Sequence, residues 1–200
     1  TFLVVISLYS QRVQIGALIF ILVTYALAFA LYPLPGPGFD YASAGVPSDW
    51  EHNLSGFAAH WNINANPAWA FDMWFLNLFP RSKPFVGSPG GYSTLSFIPT
   101  LATMLLGLIV GQRLQEGKAD GGKVQHMLSI GFVCLVLGLV LHFTGVCPLV
   151  KKIWTPTWVL VSGGICCAFM SFLRIMAPAS MEVWISSPVR SRKPVLMNTT

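Results

Sequence analysis

Four apolar runs of membrane-spanning length dominate this chain and restrict it to a small set of folds. They lie at about residues 13–33, 94–111, 127–146 and 157–177. A helix that crosses the hydrocarbon core of a bilayer needs about 20 apolar residues. Backbone groups in lipid must find their hydrogen-bond partners within the chain, so such runs predict helices. We therefore expect an all-α, polytopic transmembrane helix bundle with about four full spans.

The composition agrees with a membrane protein and disfavours other classes. Charged residues make up 10% of the 200 residues, whereas soluble domains carry about 25%. The net charge is +5, but no Lys/Arg stripe interleaves with aromatic residues, so no nucleic-acid partner is expected. The four cysteines show no CxxC spacing. His52 and His60 match no metal-ligand pattern, and we expect no metal.

The two ends of the chain differ from the spans. The chain opens without Met and without the features of a signal peptide. We therefore expect residues 1–9 to be the end of an earlier, truncated span. Residues 1–177 would then be a partial domain of a larger protein. Residues 178–200 contain Pro, Ser and Arg and predict a disordered tail.

The basic residues predict how the spans are oriented. Eight of the 12 Lys and Arg residues fall on the side of the turn at Arg12, and four fall on the other side. The positive-inside rule then places Arg12 in the cytoplasm and the long loop, about 34–92, outside it. Part of this loop, about 67–79, is rich in Trp and Phe and predicts a short helix on or in the membrane interface.

Polar residues in the long loop are the first candidates for a site. Asp72, Asn77 and Arg81 interrupt an aromatic segment, and Asn77 and Arg81 share a face if that segment is helical. These residues either line a pocket or, in the alternative, Asp72 and Arg81 only mark the membrane–water interface. Gly90 and Gly91 precede the second span, where backbone N–H groups can hold an anion or carboxylate. Helix capping by the following Ser93 or Thr94 is the alternative.

The turn between the last two spans is the second candidate. Lys151 and Lys152 lie there together with Trp154 and Trp158, between two prolines. Indoles anchor a turn at the level of the lipid headgroups. The lysines then either contact lipid phosphates or attract an anionic substrate to the mouth of the bundle.

Several residues inside the spans have structural interpretations. Small residues allow close helix approach in lipid, which predicts packing at Gly107 and Gly111, at Gly131 and Gly138, and at 163–164. Pro99 should kink the second span. His142, near the end of the third span, is either functional or a side chain that reaches the interface.

Four motifs, in order, resemble the heparan-α-glucosaminide N-acetyltransferase family of membrane acyltransferases. They are "YPLPGPGFD", "AFDMWFLNLFPR", "GGYSTLSFIPTLATMLLGLIVGQRL" and "VKKIWTPTWVLVSGG", and the resemblance covers about residues 11–176. It implies transfer of an acetyl or other acyl group from acyl-CoA to an amine or hydroxyl of a sugar acceptor across the membrane. It also implies a bacterial inner membrane, with a possible homo-oligomer.

The resemblance also suggests which residues form the site. Asp72, Gly91, Lys152, Trp154 and Thr155 match family positions, whereas Val150 stands where Asn is frequent and "SPGGYS" lacks the family's Glu. With the residues selected above, the expected substrate-binding set is Asp72, Asn77, Arg81, Gly90, Gly91, Lys151, Lys152, Trp154 and Thr155. The family's acting histidine lies upstream of this sequence, so we expect no catalytic residue here and no activity of this chain alone. A transporter fragment or a non-catalytic membrane protein are the alternatives.

Overall fold

The computed structural model describes residues 2–115 and 120–176, and all of the regular secondary structure in them is helical. The predicted tail at 178–200 lies outside these residues. The α-helices are α1 (Phe2–Ser7), α2 (Gln11–Ala30), α3 (Pro67–Leu76), α4 (Phe97–Gln115), α5 (Asp120–Phe143) and α6 (Pro156–Met176). Two 3-10 helices, Gly56–Trp61 and Thr94–Ser96, lie in the long loop and before α4. The predicted all-α fold is confirmed.

Among the described residues, four helices are long and apolar enough to cross a membrane, as predicted. They are Gln11–Ala30, Thr94–Leu114, Gly122–Phe143 and Pro156–Met176. At most 33% of the residues in each apolar window are buried inside the protein. Most of their apolar surface therefore faces outward, which suits helices that lipid surrounds.

The helix ends differ from the predicted ends for local reasons. The first span stops at Ala30 rather than 33, because Pro33 disfavours helical geometry in the residue before it. The third span starts before residue 127 and stops at Phe143 rather than 146. Gly145 follows it with a φ of +72°, a conformation that ends helices and that glycine adopts without strain. Pro99 falls in the first turn of α4, where a missing N–H is tolerated, so the expected mid-span kink is not required.

The long helices alternate in direction between two ends of the bundle. We call the end that carries the loop 31–93 and the turn 144–155 the loop end. Helices α2 and α5 run toward the loop end, and α4 and α6 run away from it. α5 and α6 pack along each other, and α4 lies against α2 and α6.

Glycines make the close contact between α5 and α6 possible. A Cβ atom on Gly138 would lie 2.6 Å from Cγ2 of Val161, and one on Gly164 would lie 2.8 Å from the carbonyl oxygen of Gly131. The predicted packing role is confirmed at these positions. A Cβ on Gly107 or on Gly111 would meet no atom within 4 Å, so the packing predicted for this pair is wrong: both face open space.

The loop end has a hydrophobic core of its own. Tyr25 and Phe29 of α2 pack there with Trp61, Ala68, Cys147 and Ile153. The rings of Phe29 and Trp61 stack with centroids 4.4 Å apart. The Tyr25 hydroxyl donates a hydrogen bond to the carbonyl of Ile153 over 2.9 Å. The long loop and the turn thus form one packed layer on the bundle.

Candidate functional site

A small cleft opens in this layer, between segments that are far apart in the sequence. Its volume is about 60 Å³, and it is lined by Trp50, His52, Leu54, Trp61, Asn62, Ile63, Gly91, Val150, Lys152 and Ile153. This space holds a few water molecules. The cleft can therefore seat one functional group of a ligand whose remainder lies outside.

The ammonium group of Lys152 supplies the charge at the cleft. Its Nζ lies 5.4 Å from the ring centroid of Trp50 and 5.9 Å from that of Tyr92. Such cation–π contacts are worth about 0.5–1 kcal/mol each at exposed sites. Within residues 2–115 and 120–176, no carboxylate pairs with this ammonium. The rings hold the charge in place without neutralising it.

Gly91 brings its loop close to Lys152. Its φ is +71°, and a Cβ atom there would lie 2.9 Å from Cδ1 of Ile63 and 3.7 Å from Cδ of Lys152. A side chain would both strain the backbone and displace Ile63 from the cleft wall. Two residues that the sequence selected in separate motifs, Gly91 and Lys152, thus lie in contact at one site.

Asp72 lies beneath this layer and faces the start of the second span. Its helix α3 begins with Asn66, whose side chain accepts a hydrogen bond from the N–H of Trp69, and with Pro67 as its first residue. Both carboxylate oxygens of the buried Asp72 accept from the backbone N–H of Thr94, at 3.2 and 3.0 Å. Negative charge at a helix start is favourable. The anion that the sequence predicted at this helix start is therefore supplied by the chain itself.

Thr155 and Trp154 hold the turn that carries Lys152. The Oγ1 atom of the fully buried Thr155 accepts hydrogen bonds from the N–H groups of Val150 and Trp158 and donates to the carbonyl of Pro148. It thereby caps α6. Trp154 adopts a φ of +53°, and its Nε1 donates to Oγ1 of Thr103 on α4 over 2.9 Å. Both residues position the turn rather than line the cleft.

The remaining predicted residues lie outside the cleft. Asn77 follows α3 and bonds the backbone of Met73 and Phe85. The exposed Arg81 guanidinium lies 5.6 Å from the Phe85 ring centroid. A Cβ on Gly90 would touch the ring of Tyr92. The exposed Lys151 places its Nζ 6.0 Å from the ring centroid of Trp158. Asp72, Asn77 and Arg81 are therefore not among the residues that line the cleft.

Several cleft residues were not selected from the sequence as binding residues. Trp50 and His52 line the cleft, and their rings meet edge to face with centroids 5.2 Å apart. Asn62 also lines it, and its side chain bonds both backbone groups of Leu54. From the sequence alone, His52 is considered only as a metal-ligand candidate. The sequence feature that could have indicated its place in the cleft is a Trp-x-His pair in a polar stretch. Among the described residues, no group of three His, Cys, Asp or Glu side chains could hold a metal ion.

Two further loop-end residues that the sequence left open have structural roles. Nδ1 of His142 accepts a hydrogen bond from the N–H of Leu149 over 3.2 Å, which joins the end of α5 to the turn. Cys147 is buried and is not in a disulfide. Burial raises the pKa of its thiol, and hydrogen bonding with Thr157 partly opposes this shift. A thiol in this state is a poor nucleophile.

Comparison of the chain with protein-family models, with curated proteins and with solved structures finds no match.

Proposed function

We propose that this protein is an integral membrane acyltransferase whose loop-end cleft binds the acceptor. The observation that carries the proposal is the convergence at Lys152. The cleft combines an ammonium that no carboxylate of the described residues pairs with, an indole face and a histidine, all drawn from loops on one end of the bundle. The motifs that resemble membrane acyltransferases supply Gly91 and Lys152 to this same place.

The cleft favours an acceptor that carries negative charge on a ring-shaped body. The Lys152 ammonium attracts a carboxylate, sulfate or phosphate group, and the low polarity of the surrounding rings strengthens that attraction. Trp50 offers a flat apolar surface beside it, suited to the face of a sugar. The cleft volume of about 60 Å³ admits only the charged group, so the body of the sugar would lie over the rim.

Acyl transfer to such an acceptor needs a base at the attacking atom. The acceptor nitrogen or oxygen forms a bond to the thioester carbonyl carbon, the carbon–sulfur bond breaks, and coenzyme A leaves as a thiolate. A base takes the proton that the acceptor loses. His52 is the imidazole of the described residues that lines the cleft, and it is the residue of this chain to test for that role.

A transporter is the rival function, and the spans argue against it. Transport sites lie near the bilayer midplane and use polar groups of interrupted helices. The charged residues of the long helices lie near the helix ends: Arg12, Arg113, Asp120, Lys123 and Arg174. Polar and aromatic side chains are concentrated instead at the loop end.

The test uses the complete gene product in detergent and in proteoliposomes. Acetyl-CoA should raise the unfolding temperature, and labelled acetyl should move from acetyl-CoA to an acidic amino sugar. The K152M variant should raise KM for that acceptor and leave kcat and the acetyl-CoA stabilisation nearly unchanged. K83M is the matched control, because Lys83 is exposed and lies outside the cleft.

Two outcomes would count against the proposal. One is the absence of both stabilisation and label transfer with a panel of amino and hydroxy sugars at saturating acetyl-CoA. The other is uptake of an intact solute into proteoliposomes without any covalent change, which would favour the transporter.

A further inference from the structure

A second, apolar cavity lies between α4 and α6, away from the loop-end cleft. Its volume is about 360 Å³. Thr103, Gly107 and Gly111 line it on α4, and Ser162, Cys166 and Met170 line it on α6. It is open along one side, because Gly107 and Gly111 present no side chain toward it and face no neighbouring atom.

The cavity has the length of a lipid acyl chain in one leaflet. From Thr103 to Leu114 it extends for about 16 Å at the helical rise of 1.5 Å per residue. This is about half of the 30 Å hydrocarbon core.

The two ends of the groove differ in polarity. Toward the loop end, the groove is lined by Thr103, whose hydroxyl accepts a hydrogen bond from Nε1 of Trp154. At the opposite end, Arg113 and Arg174 stand in the last turns of α4 and α6. Arg113 follows Val110 by three residues and Arg174 follows Met170 by four, so each lies on the face of its helix that lines the groove. Both arginines also make interactions within the chain.

We propose that this groove is a binding site for an anionic phospholipid of the leaflet at the arginine end. One acyl chain lies along Gly107 and Gly111 and ends below Trp154. The phosphate lies at Arg113 and Arg174, whose planar guanidinium groups suit phosphate oxygens. The site rests on the embedding of the helices in a bilayer, but not on acyl transfer.

The lipid site can be tested on the full chain in detergent micelles by native mass spectrometry. Phosphatidylglycerol and phosphatidylcholine with the same acyl chains are titrated separately. The wild-type protein should bind phosphatidylglycerol at least tenfold more tightly. G107L fills the groove and should weaken binding of phosphatidylglycerol at least tenfold. G16L is the matched control, because Gly16 also faces open space, on a different helix, and it should bind like the wild type.

A second pair of variants tests the head-group position. R113Q and R174Q should each reduce the preference for phosphatidylglycerol over phosphatidylcholine, while circular dichroism reports whether the helices persist. Equal affinity for the two lipids in the wild type, or unchanged binding by a folded G107L protein, would overturn the proposal. A lipid-free dimer of the wild-type protein that becomes monomeric in the G107L variant would also overturn the proposal, because a second copy of the chain would then fill the groove. A protein that stays soluble without detergent would instead refute the embedding itself.

Discussion

Replacing Thr155 with valine should destabilise the protein strongly, although valine preserves the volume of the side chain. The hydroxyl accepts from the N–H groups of Val150 and Trp158, each at 3.2 Å, and donates to the carbonyl of Pro148 at 2.9 Å. The residue is 0% exposed, so water cannot replace these bonds.

The expected loss of stability follows from those contacts. Removal of the helix cap costs about 1 kcal/mol. The N–H of Val150 and the carbonyl of Pro148 lose a buried partner, and each such loss costs at least about 1 kcal/mol. We therefore expect T155V to lower the free energy of unfolding by about 3 kcal/mol. T155S retains the hydroxyl and should recover most of this loss.

Unfolding in mixed detergent and dodecyl sulfate micelles, followed by tryptophan fluorescence, measures the effect. T144V is the control, because the exposed Thr144 hydroxyl bonds carbonyls of its own helix, at 2.8 and 3.3 Å. It should change the free energy of unfolding by less than about 0.5 kcal/mol. A T155V protein within 1 kcal/mol of the wild type would refute the argument. A serine variant as unstable as the valine variant would assign the effect to the lost methyl group instead.

Three further predictions concern the packed parts of the fold. G164A should lower the free energy of unfolding by about 1–3 kcal/mol, because its methyl group would contact the Gly131 carbonyl; G16A, in open space, should have no destabilising effect in the same assay. D72N should lower the free energy of unfolding by about 1 kcal/mol through the loss of negative charge at the 3-10 turn that begins with Thr94, whereas D49N, at an exposed loop position, should not. Cys147 should react slowly with an alkylating reagent near pH 8, since a raised pKa leaves less thiolate at that pH. Mass spectrometry of the Cys147 peptide should show faster alkylation at higher pH and after unfolding. Equal alkylation rates in the folded and unfolded protein would contradict the burial of this thiol.

The long helices could be predicted because each depends on its own residues. Length and apolar character alone identify a span, and the four predicted spans are present. Their ends depend on single residues whose effect is easily missed, such as the stop imposed by Gly145 or Pro33. The open groove at Gly107 was not predicted, because a small-residue pair looks the same in sequence whether a neighbour fills it or not.

The candidate site was predicted only in part because its residues meet through the tertiary fold. Gly91 and Lys152 could be predicted, yet Trp50 and His52 reach the cleft from a stretch that lies about 40 residues before Gly91 and about 100 before Lys152 in the sequence. Asp72 and the start of the second span were each chosen as separate candidates. No local pattern reveals that the carboxylate of one satisfies the N–H group of the other.

The hydrogen bond from Tyr25 to Ile153 has a consequence for how the protein is made. The two residues are 128 positions apart, and a ribosome adds about 5–20 residues per second. About 6–26 s therefore pass between the synthesis of Tyr25 and the synthesis of Ile153, its hydrogen-bond partner. In the later part of that interval the loop between the first two spans has been synthesised, but the turn that carries Lys152 has not. The cleft is completed only after the turn at residues 144–155 has been synthesised, so no ligand can occupy the whole cleft before that point.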